Sequence, residues 1–255
     1  MKQDAAVVAL YRYPVKGLTP EPLDSVALSP GATFPADRAF AIENGPTGFD
    51  PASPRYLPKA RFLMLMRNER LAALDARFDD ATTTLAIRRD GKVLVEGRLD
   101  TDAGRAAIEA FFDAYEADEL RGPARVLHAP GFSFSDVAAK VVSLINLESV
   151  RDLGERIGTE VHPLRFRGNL HVEGLPAWSE LDLVGRRITA GGVVFRAEKR
   201  IVRCAATNVN PDTAARDLTI PAALASFFGH SDCGIYLRVV TGGEVRVGDP
   251  LTIDA

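Results

Sequence analysis

Residues 82–99 read TTTLAIRRDGKVLVEGRL. Apolar and polar residues alternate with period two on both sides of Asp90-Gly91, a pair that favours the two-residue hairpin turn. The spacing predicts an antiparallel hairpin. Residues 102–116, DAGRAAIEAFFDAYE, then switch to helical spacing, with Asp102 placed as the cap. Hairpin followed by helix, with no crossover motif, argues against a parallel α/β sheet.

The same short alternating runs recur upstream. VVALYRYPV (7–15) ends at a proline bend, LDSVALSPG (23–31) stops at Pro-Gly, and DRAFAIENG (37–45) stops at Asn-Gly. After a break near residues 119–124 the pattern restarts with RVLHAP (125–130). KVVSLIN (140–146) reads as a strand running into a helix, LESVRDLGERIG (147–158), capped by Asn146 and ended by Gly158. LRFRGNLHVEG (164–174) and RRITAGGVVFRAEKRIVRC (186–204) read as strands, and CGIYLRVVTGGEVRVGDPLTI (233–253) as a hairpin around Gly242-Gly243. Many short strands and few helices predict a mainly β, α+β chain of two barrel-like domains, residues 1–120 and 121–255.

The 255-residue chain is 46% hydrophobic and 25% charged, which is ordinary globular composition. A net charge of −3 gives no global basic field for nucleic acid or an acidic membrane surface. No apolar run is long enough to span a bilayer. The N-terminus, with Asp4, carries too short an apolar stretch for a signal peptide. Two cysteines allow at most one disulfide, Cys204–Cys233, which a chain this long does not need, so the expected compartment is the reducing cytoplasm. Neither a GxGxxG nor a GxxxxGK[ST] run is present, so no nucleotide fingerprint appears.

The chemistry concentrates around Cys204, in RIVRCAATNVNPDT (200–213). A free cysteine is most often a small buried hydrophobe. Here Lys199, Arg200 and Arg203 precede it, and nearby positive charge favours the thiolate, the form that binds soft metals or attacks electrophiles. There is no CxxC, and two cysteines are too few for a Cys₄ zinc or iron–sulfur site. His128, His162, His171 and His230 never occur as HxH or HxxxH, which leaves a Cys–His nucleophile without a recognisable context. Lys16 in YPVKGL, Arg38 in PADRAF, and Arg167 with Asn169 in RFRGN sit beside turn residues. Each alone reads as a solvated surface group. Together with a thiolate they suit a phosphorylated heterocycle carrying a soft metal, because Arg and Lys bind phosphate and an amide matches a heterocycle edge. Trp178 and the VRVGDPL turn read as structural.

Six segments in order, YPVKGL, ADRAFAI, RFRGNLHVEG, the Trp178-Ser-Glu-Leu run, RCAATNVNPDT and VRVGDPL, resemble the MOSC family. The likeness is to the subgroup with an N-terminal MOSC β-barrel domain, which includes the mitochondrial amidoxime-reducing component. The resemblance implies a molybdenum cofactor with Cys204 as the catalytic protein ligand to the metal. It implies that Lys16, Arg38, Arg167, Asn169 and Arg203 hold the pterin and its phosphate, with Asn146 near a cofactor-contacting family serine. It implies reduction of N-hydroxylated or other N-oxygenated small molecules, with electrons from an external electron-transfer protein. The chain departs from the family where Gly17 replaces a serine, Asn210 an aspartate and Pro176-Ala177 an acidic pair near the substrate side. The loss of the acidic pair favours the alternative of a non-catalytic cofactor carrier, or a sulfur carrier using a Cys204 persulfide.

Overall fold

The computed structural model describes residues 5–254; Asp4 and the rest of the first four residues lie outside it. The first strands are β1 (Ala6–Arg12), β2 (Glu21–Leu23), β3 (Ser25–Leu28) and β4 (Phe40–Asn44). Then come β5 (Asp75–Asp79), β6 (Thr84–Arg89), β7 (Lys92–Arg98), helix α1 (Asp102–Tyr115) and β8 (Ala124–His128). The remainder runs β9 (Val142–Asn146), α2 (Leu147–Ile157), β10 (Leu170–Glu173), β11 (Arg187–Ala190) and β12 (Val193–Val202). It closes with α3 (Ile220–Phe228), β13 (Asp232–Thr241), β14 (Gly243–Arg246) and β15 (Leu251–Ile253).

The chain is mainly β, as its patterning requires. An eight-stranded curled sheet runs β15-β11-β12-β13-β9-β10-β1-β2, with β9 and β10 parallel. Three small sheets accompany it: β14-β3, β4-β8 and β5-β6-β7. The β6–β7 hairpin turns at Asp90 and Gly91, both with positive φ (51° and 75°), the geometry that the Asp-Gly pair favours. Two main cores result. One lies on the large sheet and mixes Val7, Leu10, Val26 and Leu28 with Leu144, Phe195 and Leu237. The other packs Ile87, Ile108 and Phe112 against Leu63 and Val126. Strands β1 and β3 therefore complete the core of the C-terminal strands, while residues 40–126 build most of the second core.

Four local expectations change. Thr101, not Asp102, caps α1: its side chain accepts from the Gly104 amide at 3.1 Å. The Gly242-Gly243 bend is no hairpin, because β14 leaves β13 and pairs with β3. Residues Pro163–Phe166 form a 3₁₀ turn rather than a strand, started by Pro163 and capped by His162 Nδ1 on the Leu164 amide. Arg167 follows with φ 52°, so Arg165, Arg167 and Asn169 do not alternate on one strand face. Helix α3, whose IPAALASFF sequence has almost no polar face, escapes the periodicity test.

Glu116 ends α1 fully buried, and neither carboxylate oxygen finds a hydrogen-bond partner among the described residues. Burial pushes its carboxyl up to about 7; Arg70 opposes the shift and Glu119 adds to it. The folded chain therefore keeps a proton that the unfolded chain releases above the ordinary value of 4.5. The resulting stability is full below that value, falls as pH climbs to about 7, and stays low above it. Glu116→Gln should flatten the pH dependence of unfolding across this window and be more stable than the parent at alkaline pH. Urea denaturation at several pH values checks it; an unchanged pH slope would contradict the assignment.

Candidate functional site

The seam between the two cores holds a cavity of about 420 Å³, within the roughly 300–1,000 Å³ typical of small-molecule and cofactor sites. Nine Lys or Arg residues line it against two acids, Asp37 and Asp136, on a chain of net charge −3. Lys16, Arg38, Arg167, Asn169, Arg203 and Cys204 all reach this one cavity.

Two of the lining arginines rest on Tyr13, which is fully buried just after β1. The Arg167 and Arg38 guanidiniums lie over the Tyr13 ring at 4.2 and 4.7 Å, close enough for cation–π attraction. Both arginines adopt the left-handed backbone conformation, with φ 52° and 51°. Such a conformation costs a non-glycine residue about 1–3 kcal/mol and persists where the surroundings over-determine it. The surroundings do so here. Arg38 pairs with Asp37 and donates Nη2 to the Arg167 carbonyl at 3.0 Å. Arg167 donates Nη1 to the Leu18 carbonyl at 2.8 Å. Its Nη2 is buried and has no partner among the described residues. Burial pulls the Arg167 guanidinium down to about 10. Arg38 is also penalised by burial, but Asp37 outweighs that and raises it.

Lys16 is buried in the turn after β1 and donates to the Phe134 carbonyl at 2.9 Å and to Asp136 at 2.5 Å. Burial lowers its ammonium and Asp136 opposes the shift. Asp136 sits at the mouth on a coil strap after β8. Burial alone would push its carboxyl up, but Lys16, then Lys59 and Arg38, hold it at about 2.

Cys204 stands at the end of β12, partly exposed, where a 3₁₀ turn begins. Thr207 ties that turn by donating its hydroxyl to the Cys204 carbonyl at 2.9 Å. Pairing of β12 with β13 slips between Ala197 and Lys199 and again between Arg200 and Val202. Such bulges re-aim side chains, and Lys199 and Arg200 both line the cavity. Arg203 donates Nε to the Cys233 carbonyl at 2.7 Å and Nη1 to the Phe166 carbonyl at 2.8 Å; burial lowers its guanidinium. Gly234 beside it has φ 77°, and a Cβ there would meet the Leu144 carbonyl oxygen at 2.3 Å. Cys233 is fully buried, lies off the cavity, and burial pushes its thiol up to about 12.

Two sequence readings shift. Asn169 lines the cavity, yet its carboxamide is engaged inside the protein: Oδ1 accepts from the Ser143 amide and hydroxyl (3.1 and 2.8 Å), and Nδ2 donates to the Tyr11 carbonyl. It fixes β9, β10 and β1 around the site. Asn146 does not reach the cavity. It caps α2 through the Glu148 amide, and its Nδ2 donates to the buried Glu180 carboxylate at 3.0 Å. Gly168 leaves room for the Ile145 side chain, which a Cβ there would meet at 2.3 Å.

The sequence reading missed Lys59, whose ammonium donates to the Cys204 sulfur at 3.1 Å, as well as Asp136 and Tyr13. Lys59 lies in LPKARF (57–62), where nothing in spacing or composition marks it. It comes from the opposite lobe, and only the fold brings it to the thiol.

Two β lobes thus close a cation-lined cavity on a single partly exposed thiol. The sequence matches the family described as MOSC N-terminal beta barrel domain over residues 4–120 and the MOSC domain over residues 130–252. The chain belongs to the MOSC family, whose domains are associated with molybdenum cofactor binding. Among solved structures it is similar to the YuaD protein from Bacillus subtilis, at 14% identity and TM-score 0.47, over 98% of this chain and 94% of that one. YiiM from Geobacillus stearothermophilus matches at 23% identity and TM-score 0.36, over 45% of this chain. YiiM from Escherichia coli matches at 21% and 0.31, also over 45%. The matched region spans about half the length of each YiiM chain, 54% in both. No curated protein matches the chain. Among the described residues no helix is long and apolar enough to cross a membrane.

Asn146→Ala should cost about 1 kcal/mol through the lost cap, and more through the stranded Glu180, without changing ligand retention. Chemical denaturation beside a ligand-retention assay checks this. Ligand loss at unchanged stability would return Asn146 to the site.

Proposed function

We propose that the chain binds molybdenum cofactor in this cavity and acts as an oxidoreductase on N-hydroxylated or other N-oxygenated small molecules. The observation that carries the reading is one partly exposed thiol in a cavity with nine cations and two acids, where a buried Arg167 Nη2 lacks a partner among the described residues. That donor set fits the cofactor. Among the described residues no three His, Cys, Asp or Glu side chains gather to hold a metal by themselves, so a metal at Cys204 takes its other ligands from a non-protein group. A soft thiolate suits molybdenum carried by a dithiolene.

Cys204 would hold the metal. Arg167, Arg38 and Lys16 would hold the phosphate at the floor, where low dielectric strengthens each contact. Arg203, committed to two backbone carbonyls, fixes the strand end that presents Cys204. The bound group supplies two-electron oxygen-atom transfer. Reduction of an N–OH group consumes two electrons and two protons and releases water. Two cysteines, one of them the ligand, cannot also build an iron–sulfur cluster. The electrons therefore come from a separate electron-transfer protein. The carrier reading keeps the same cavity without turnover and draws on Pro176-Ala177, which stand where the family resemblance implies an acidic pair. Turnover of an N-hydroxylated compound with an artificial electron donor decides between them.

Cys204→Ala should lose molybdenum while remaining folded, and Cys233→Ser should keep it. Equal metal per chain in Cys204→Ala and the parent, by elemental analysis, would remove the ligand assignment.

Arg167→Ala should weaken cofactor retention about ten- to a hundredfold, the worth of a charge-assisted contact of roughly 1.5–3 kcal/mol. Arg167→Lys should restore it only in part. Arg165 is buried against Asp217 at 2.7 Å and the Asn208 carbonyl at 3.0 Å, so Arg165→Ala should cost stability more than retention. Cofactor release followed over time separates the three variants. Release from Arg167→Ala at the parent rate would make the floor a structural feature only.

A further inference from the structure

The cations of the cavity divide into two sets. At the floor, Lys16, Arg38, Arg167 and Arg203 are committed to carbonyls or to the two acids. Toward the mouth the compensation is poorer. Lys59 holds the Cys204 sulfur at 3.1 Å with its side chain about one-third exposed (31%). Its one acidic neighbour is Asp136 at 3.7 Å, a carboxylate already bonded to Lys16 at 2.5 Å. Lys199 lies over the Tyr236 ring at 5.6 Å, and neither it nor Lys140 makes an ion pair among the described residues, although both line the cavity. Cleft walls of low dielectric focus such uncompensated charge onto whatever enters.

We propose that Lys59, acting at the Cys204 sulfur and supported by Lys199, forms an anion-selective subsite at the mouth. It takes a small-molecule substrate that carries a negative charge beside the reacting atom. This rests on the reading that the chemistry occurs at Cys204, and it narrows the substrate class to oxyanions or carboxylate-bearing N-oxygenated compounds. The charge belongs to Lys59 rather than to the cofactor floor, because Lys59 reaches the sulfur from the opposite lobe and touches no floor residue except through Asp136.

The test uses the full chain free of cofactor and two alkylating probes, anionic iodoacetate and neutral iodoacetamide. In both reactions the sulfur forms a bond to carbon and iodide leaves. The ratio of the two rates therefore cancels the intrinsic reactivity of the thiol and reports the charge of its surroundings. Peptide mass spectrometry reads Cys204, and buried Cys233 reports any unfolded fraction. Relative to 2-mercaptoethanol in solution, the iodoacetate preference at Cys204 should be raised about threefold or more at low salt. It should shrink as salt screens the site. Lys59→Met should lower the preference toward that of the free thiol, and Lys59→Arg should keep it. A parent ratio equal to the free thiol, or a ratio unmoved by Lys59→Met, would overturn the proposal. The assay contains no molybdenum, so either result leaves the metal reading to stand or fall on the metal content of Cys204→Ala.

Discussion

The structure depends on two guanidiniums buried over one phenol ring. Arg38 and Arg167 meet above Tyr13, from segments far apart in sequence, and each is bent into the left-handed region to do so. Removing two like charges from water is expensive, and the one carboxylate paired there, Asp37, balances only one of them. The remainder is met by ring faces and carbonyls, leaving Arg167 Nη2 with no partner among the described residues. A native fold tolerates such a deficit where the function supplies the missing anion.

The same seam explains the lobe arrangement. β1 runs in the large sheet beside β10; the turn after it delivers Lys16 to the cavity and buries Tyr13 beneath Arg38 and Arg167. β9 and β10 lie parallel, locked by the Asn169–Ser143 hydrogen bonds, and deliver Arg167. β12 and β13, slipped three times in register, deliver Arg203 and Cys204. The other lobe contributes Arg38 ahead of β4 and Lys59 ahead of the Phe62–Leu65 packing. The cavity around the one thiol therefore draws on both lobes, and a disturbance of either core reaches it.

Much of this was legible in the sequence where the signal was local. The Asp90-Gly91 turn, the α2 caps at Asn146 and Gly158, and the strands that stop at Pro-Gly or Asn-Gly all follow from residue-level preferences. That Lys16, Arg38, Arg167, Arg203 and Cys204 belong to one site was legible only through the resemblance of the six ordered segments to the MOSC family; the residues themselves do not show that they converge. What stayed hidden depends on long-range pairing. That β14 would leave β13 for β3 is decided by packing against the first strands, not by Gly242-Gly243. The turn at Pro163–Phe166 looked like a strand because Arg-Phe-Arg alternates, yet Pro163 and the His162 cap start a tight turn there. Lys59 carried no signal, since a lysine near a proline in a loop is common and its partner lies 145 residues away.

The central claim is that this cavity holds a molybdenum–pterin group through Cys204. Protein purified from a host that makes the cofactor, analysed for molybdenum and for pterin fluorescence after oxidation, tests it most directly. The account predicts both in equal, near-stoichiometric amounts per chain. Protein that carries neither, while the same host loads another molybdenum enzyme, would contradict it.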